Sequence, residues 1–273
     1  MAVFLGRRPI SPPNSSERSE ARGQRGVWGR RKGPALSARQ SELLATLLPK
    51  LELKLEAGRD PRTYFATPVT DAWLEIGFGA GEHLFWQAER NPATGIIGAE
   101  PYISGMAKLL TKLSPLSPVG GEGRGEGEII VQTPPPHPIP SPQGRGNNIR
   151  LYSGSAHDII AALPDASLSR VFILFPDPWP KTRHHKRRFI QMESLSDLAR
   201  VMKAGAELRF ASDDASYMEW ALERLTAHPK FAWLARRAAD WRTRPDDWPQ
   251  TRYEAKAIRQ GRACTYLRFA RVE

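Results

Sequence analysis

The chain has 273 residues, 40% of them hydrophobic, and a formal net charge of +11. That composition supports a buried core but holds no apolar run near the ~18 residues a membrane helix needs, and a single cysteine, Cys264, excludes an intrachain disulfide framework. Residues 1–38 carry +6, residues 114–148 carry −1 and the remainder +6, so a basic core, beyond a basic tail, favours a polyanionic partner without saying which.

Residues 1–38 are rich in Arg, Gly, Ser and Pro and poor in large apolar side chains, which predicts a disordered basic tail. It lacks the pattern of a secretory signal, and Glu17, Glu20, Pro12 and Pro13 interrupt an amphipathic transit helix, so a cytoplasmic location is expected. A helix is predicted from Ala38 to about Leu51, with Leu43, Leu44, Leu47 and Leu48 as its apolar stripe.

Ala72 to Gly77 reads as a short buried strand that runs into Phe78-Gly79-Ala80-Gly81-Glu82, after which Leu84, Phe85 and Ala88 fall at helical spacing. Strand, glycine loop and helix let a ligand approach backbone closely at a helix N-terminus. The spacing Gly77-x-Gly79-x-Gly81 departs from the G-x-G-x-x-G dinucleotide fingerprint. Glu75 stands just ahead of this loop; a carboxylate there repels a pyrophosphate and suits a ligand with cationic amino and sulfonium groups. Glu100 ends the next strand, 95–100, where an acid accepts hydrogen bonds from ribose hydroxyls of NAD or S-adenosylmethionine alike.

A helix at 102–113 leads into residues 114–148, where eight prolines and seven glycines occupy 35 positions. Such a stretch sustains neither a helix nor a central strand and reads as an inserted surface loop. A strand at 149–153 follows, with Ser155 just past its end, and then a helix at 157–163. The hydrophobic strand 170–175 runs into Pro176-Asp177-Pro178-Trp179-Pro180-Lys181, and five cations and two histidines crowd Lys181 to Arg188. An acid and an indole at a strand end, with cations alongside, suit a nucleobase with phosphates nearby. A proline-rich turn ahead of a solvated basic helix start is the other reading. Trp179 is placed either to stack on a splayed base or to anchor the core. His184 and His185 are adjacent, without the spacing of metal ligands, so no metal is expected.

Helices at 189–203 and 214–226 flank a strand at 205–211, with Asp213 just beyond it, and late strands near 231–236 and 264–270 have no helical pattern between them. This alternation predicts an α/β fold: a Rossmann-like, seven-stranded, mostly parallel sheet with helices on both faces and an antiparallel C-terminal edge strand. It forms a single domain, 39–273, carrying the 114–148 insert. Ligands of such sheets bind beyond the carboxyl ends of the strands, and Glu75, Glu100, Ser155, Asp177 and Asp213 all fall on that rim.

Five segments then carry a resemblance: LEIGFGAGEHL (Leu74–Leu84), GAEPYISG (Gly98–Gly105), FPDPWPKTRHHKRR (Phe175–Arg188), FASDDASY (Phe210–Tyr217) and TRYEAKAIRQG (Thr251–Gly261). Together they closely resemble the bacterial tRNA (guanine-N7-)-methyltransferases, a class I S-adenosylmethionine-dependent family. The resemblance implies that Glu75 and Glu100 bind the cofactor, with Gly77, Gly79 and Gly81 letting it approach. Asp177 would be the acid at the catalytic position and a cofactor contact as well. It further implies tRNA contacts by Lys181, Asp213, Thr251, Arg252, Tyr253 and Glu254, and backbone contacts by Arg183, Arg187 and Arg188. The family has an acid or amide near the adenine where this chain has Ser155, a departure that implies weaker cofactor binding.

Three rivals remain. An amino-methyltransferase of adenine or cytosine uses an [Asn/Asp]-Pro-Pro-[Tyr/Phe/Trp] turn, whereas Asp177-Pro178-Trp179-Pro180 lacks the paired prolines. An NAD-dependent oxidoreductase conflicts with Glu75 and the glycine spacing. A non-catalytic RNA-binding protein that has lost its cofactor would explain Ser155. Oligomeric state, monomer or homodimer, is left open.

Overall fold

A computed structural model describes residues 35–114 and 146–273. The expected basic tail and Pro/Gly-rich insert fall almost wholly outside the described residues. In chain order the sheet strands are β1 (Asp71–Ile76), β2 (Thr94–Ala99), β3 (Ile149–Tyr152), β4 (Leu168–Leu174), β5 (Met202–Ser212), β6 (Phe231–Trp233) and β7 (Thr265–Arg271). They form one sheet in the order β3-β2-β1-β4-β5-β7-β6. The first five run parallel, and β7 pairs antiparallel with both β5 and β6. The antiparallel C-terminal edge is therefore two strands deep, with the last strand inserted ahead of β6.

Period-two alternation decides which helices cover which face. Ala72, Leu74 and Ile76 of β1, with Val171 and Ile173 of β4, join the larger core beneath α5 (Ala156–Ala162), α6 (Met192–Val201) and α7 (Ala215–Ala227). Trp73 and Phe172 point the other way, into a core shared with α1 (Ala38–Thr46), α3 (Glu82–Arg90) and α4 (Ile103–Leu113). Glu75 follows Trp73 by two residues, so it stands on the α3 face, where it is 3% exposed. The chain leaves β1 toward β2 and β3, then returns to place β4 on the opposite side of β1, with Ile76 opposite Ile173. That reversal is a topological switch point, and crevices open there beyond the strand ends.

Three elements differ from the sequence expectation. The helix over 38–51 breaks at Leu47 into α1 and α2 (Leu48–Leu51), with Pro49 in the first turn of the second piece. Proline has no amide to continue the ladder and its ring collides with the preceding turn, but the first turn tolerates it. The basic run forms a separate 3-10 turn, Thr182–Arg187, so α6 starts only at Met192. Two short helices, α8 (Ala239–Arg242) and α9 (Arg252–Arg259), lie between β6 and β7 where no helical pattern is legible. Among the described residues no helix is long and apolar enough to cross a membrane, and no cluster of His, Cys, Asp and Glu could hold a metal ion.

Candidate active site

A cleft of about 1570 Å3 runs along the carboxyl ends of β1 to β4. Its floor is the turn from β1 into α3, where Gly77, Gly79 and Gly81 take left-handed φ values of 71°, 57° and 69°. L side chains are strained there, and glycine is not. Space is the second constraint: a Cβ on Gly81 would lie 2.6 Å from Leu109, whereas one on Gly77 would meet nothing and project into open space. The loop thus closes tightly against α4 while leaving bare backbone at the cleft.

Two acids from adjacent strand ends line this space. Glu100, 7% exposed, accepts the Gly79 amide at 2.8 Å on one oxygen and the Tyr102 amide at 2.9 Å on the other. Those bonds aim the carboxylate and leave it lone pairs for a ligand. Burial, reinforced by the charges of Asp177 and Glu75, pushes the Glu100 carboxyl above the usual glutamate range, against the pull of the two amides. Glu100, with Glu75 and Asp177 close enough for their charges to act on it, makes the cleft complementary to a cation. Glu75 accepts from His83 at 2.7 Å on one oxygen and borders the cleft.

The far wall is the turn after β4. Phe175 and Trp179 adopt φ values of 49° and 47° on either side of Pro176-Asp177-Pro178, so two non-glycine residues hold left-handed conformations within five positions. Such strain persists only where surroundings enforce it. Here the enforcement is Arg188, whose Nε donates to the Pro178 carbonyl at 2.8 Å while its other nitrogens donate to the Ser216 carbonyl and hydroxyl at 3.1 and 3.0 Å. The loop therefore offers Asp177 outward, exposed at the cleft mouth. Trp179 is half-buried under the Arg187 guanidinium, 4.9 Å away, and edge-on to His184 at 6.0 Å. Lys181, Arg183 and Lys186 stand exposed beside it.

The family model for a "Putative methyltransferase" matches residues 70–267. The curated tRNA (guanine-N(7)-)-methyltransferase of Rhodospirillum rubrum is 45% identical over 249 residues, covering 89% of this chain and 87% of that protein. Its counterparts from Azorhizobium caulinodans and Nitrobacter hamburgensis are each 43% identical, covering 93% and 97% of this chain and 98% and 93% of their own lengths. The chain belongs to the tRNA (guanine-N(7)-)-methyltransferase family.

In this methyltransferase Glu75, Gly77, Gly79, Glu100, Ser155, Asp177, Arg187, Thr251 and Tyr253 meet at one cleft. The Ser155 hydroxyl spends an acceptor on capping α5, taking the His157 amide at 3.3 Å. Thr251 caps α9 by accepting the Glu254 amide at 3.2 Å, and Arg252 donates its amide to Glu82 at 2.7 Å and pairs with the same carboxylate. That clasp holds the start of α9 against the glycine loop, and the Tyr253 ring passes 3.7 Å from where a Gly79 Cβ would stand.

Four predicted site residues have partners within the protein, two of them buried and two near the surface. Arg188 is 2% exposed, with its donors spent on Pro178 and Ser216 and its guanidinium over Tyr217 and Trp220, so it supports the loop from beneath. Glu254 is 2% exposed and accepts the Tyr266 hydroxyl while pairing with Arg244 at 3.1 Å. Burial pushes its carboxyl up, as it does the Tyr266 hydroxyl. Asp213 is paired with Arg262, and Arg252 with Glu82. Sequence reasoning missed His83, Gln87 and Glu82. The signal for the first two was present, since they sit four apart on α3 beside the Leu84–Ala88 stripe.

Because Arg188 replaces solvent for two carbonyls, Arg188→Ala should destabilise the fold by about 3 kcal/mol, as buried charge-assisted bonds do. Thermal denaturation should show Tm falling by roughly 6–12 °C. A Tm within a degree or two of wild type would show that the clamp carries no such weight.

Proposed function

We propose that this methyltransferase transfers a methyl group from S-adenosylmethionine to N7 of a guanine in the variable loop of tRNA. The observation that carries this is the arrangement of the cleft: Glu75 and Glu100 at adjacent strand ends, Asp177 opposite, and an exposed basic turn at the mouth. The donor set fits the cofactor. Glu75 suits its ammonium group, Glu100 suits its ribose hydroxyls, and bare backbone at Gly77, with Gly79 beside the Tyr253 ring, suits close approach of the chain between them. Ser155, at the β3 end of the rim, would hold its adenine.

When bound, S-adenosylmethionine supplies an electrophilic methyl group on a sulfonium. Guanine N7 already carries an in-plane lone pair, so the protein needs no general base to create the nucleophile. Its task is alignment, which supplies several kcal/mol of the barrier. Positive charge develops on the purine during transfer, and Asp177 at the cleft mouth favours that movement electrostatically. Thr251 and Tyr253 hold the substrate side of the cleft, while Lys181, Arg183, Lys186 and Arg187 meet the tRNA backbone. The domain acting here is 39–273 as a single unit, in the cytoplasm where tRNA is found.

Methyl transfer from labelled S-adenosylmethionine to tRNA lacking N7-methylguanosine, followed by chemical cleavage at modified guanines, tests this directly. Cleavage at the variable-loop guanine is expected; methylation at another base would move the substrate assignment, and no transfer would defeat the enzymatic one.

The exposed cations make a second prediction. Each phosphate contact contributes about 0.7–0.9 to the slope of log affinity against log salt. Replacing Lys181, Arg183 and Lys186 together with alanine should flatten that slope by about 2–3 in a filter-binding titration. An unchanged slope would place the tRNA backbone elsewhere.

A further inference from the structure

A line of buried side chains runs from Glu75 through His83, which also borders the cleft, into the core, and the proposed reaction makes no use of His83 or of what lies behind it. His83, in the first turn of α3 and 2% exposed, places Nδ1 2.7 Å from the Glu75 Oε2. One helical turn later, Gln87 Nε2 lies 3.1 Å from His83 Nε2 and donates to the Asp247 carbonyl at 2.8 Å. On its other side Gln87 Oε1 accepts from Asn91 Nδ2, which also donates to the Gln87 carbonyl at 2.8 Å. These outer contacts fix the amide's orientation, because the Asp247 carbonyl only accepts and Asn91 Nδ2 only donates. Gln87 Nε2 is therefore a donor, His83 Nε2 must accept from it, and the ring proton sits on Nδ1 facing Glu75. Phe172 and Trp248 hold the ring edge-on at 4.6 and 6.3 Å.

The geometry points to His83 as a positioning residue for Glu75: it satisfies one carboxylate oxygen and turns the other toward the ammonium group of the methyl donor. This rests on the cleft taking S-adenosylmethionine. A buried carboxylate needs a donor on the oxygen that faces the core. An N–H of an uncharged ring supplies one without cancelling the negative charge, as a buried arginine or lysine would. Gln87 completes the arrangement by excluding the tautomer that would point a lone pair at Glu75.

The test is S-adenosylmethionine affinity by titration calorimetry, with Tm in parallel, on the full chain as wild type, His83→Asn, His83→Leu and Gln87→Met. Asparagine places an amide N–H where the imidazole Nδ1–H was; leucine fills the volume and supplies no donor. His83→Asn should bind within about threefold of wild type, and His83→Leu about tenfold to a hundredfold more weakly, the loss of a hydrogen bond to a charged group. Gln87→Met, which frees the tautomer, should fall between them. If His83 served only to pack against Phe172 and Trp248, leucine would bind like wild type and the smaller asparagine would suffer more. That order overturns the inference. Should His83→Leu not fold, wild-type affinity in Gln87→Met overturns it equally. Wild type that binds no S-adenosylmethionine would instead overturn the cofactor assignment and the inference with it.

Discussion

Asp177→Asn is expected to lower kcat for tRNA methylation about a hundredfold, the order of loss when one electrostatic stabiliser is removed from a developing charge. S-adenosylmethionine affinity should fall by only about a few-fold, because Asp177 is exposed and solvent screens its charge, and Tm should barely change, because the surrounding turn is held by Arg188 through Pro178. Asparagine keeps the shape and an acceptor oxygen, so the substitution isolates charge. The KM for tRNA separates two roles for the same side chain. Charge stabilisation during transfer appears in kcat alone, whereas a hydrogen bond to the guanine Watson–Crick edge raises KM. Single-turnover kinetics with saturating cofactor measures both, and near-wild-type turnover would defeat the electrostatic role.

Glu100→Gln is expected to weaken S-adenosylmethionine binding by about tenfold to a hundredfold. Both Glu100 oxygens accept backbone amides, from Gly79 and Tyr102. A glutamine must turn its NH2 toward one of those N–H groups, setting donor against donor, and the glycine loop loses an anchor as well as the ligand an acceptor. The pH dependence has a definite sign. Burial holds the wild-type carboxyl above the usual glutamate range, so its charge is present well above that raised value and is lost as pH falls through it. Wild-type affinity should therefore decline on mild acidification at a higher pH than an ordinary glutamate would cause, and Glu100→Gln should lack that component. Calorimetry across the acidic range measures it; identical pH profiles for the two proteins would remove Glu100 from the ligand contacts.

Local grammar made much of the site legible. The turn from β1 through Gly77, Gly79 and Gly81 into α3 is dictated by residues adjacent in the chain, since glycine takes left-handed backbone without strain. Alternating strands and helices likewise determine a parallel sheet, and carboxyl strand ends collect Glu75, Glu100 and Asp177 on one rim. The block from Phe175 to Arg188 announced acid, indole and cations by composition alone.

What composition could not apportion was which of those cations face solvent. Arg183 and Arg188 are equally basic in the sequence, yet one is exposed and the other is sealed under Pro178 by Ser216, twenty-eight positions away. Glu254 is expected to contact tRNA, yet β7 brings Tyr266 against it inside the protein. His83 meets Glu75 because the strand's period of two and the helix's first turn converge on one face. By itself the sequence determined the elements, the rim and the chemical types gathered there, because these follow from neighbouring residues. Only the tertiary structure decided which charges are spent inside the protein and which remain for a ligand, because each charge's partner is chosen by packing between elements far apart in the chain.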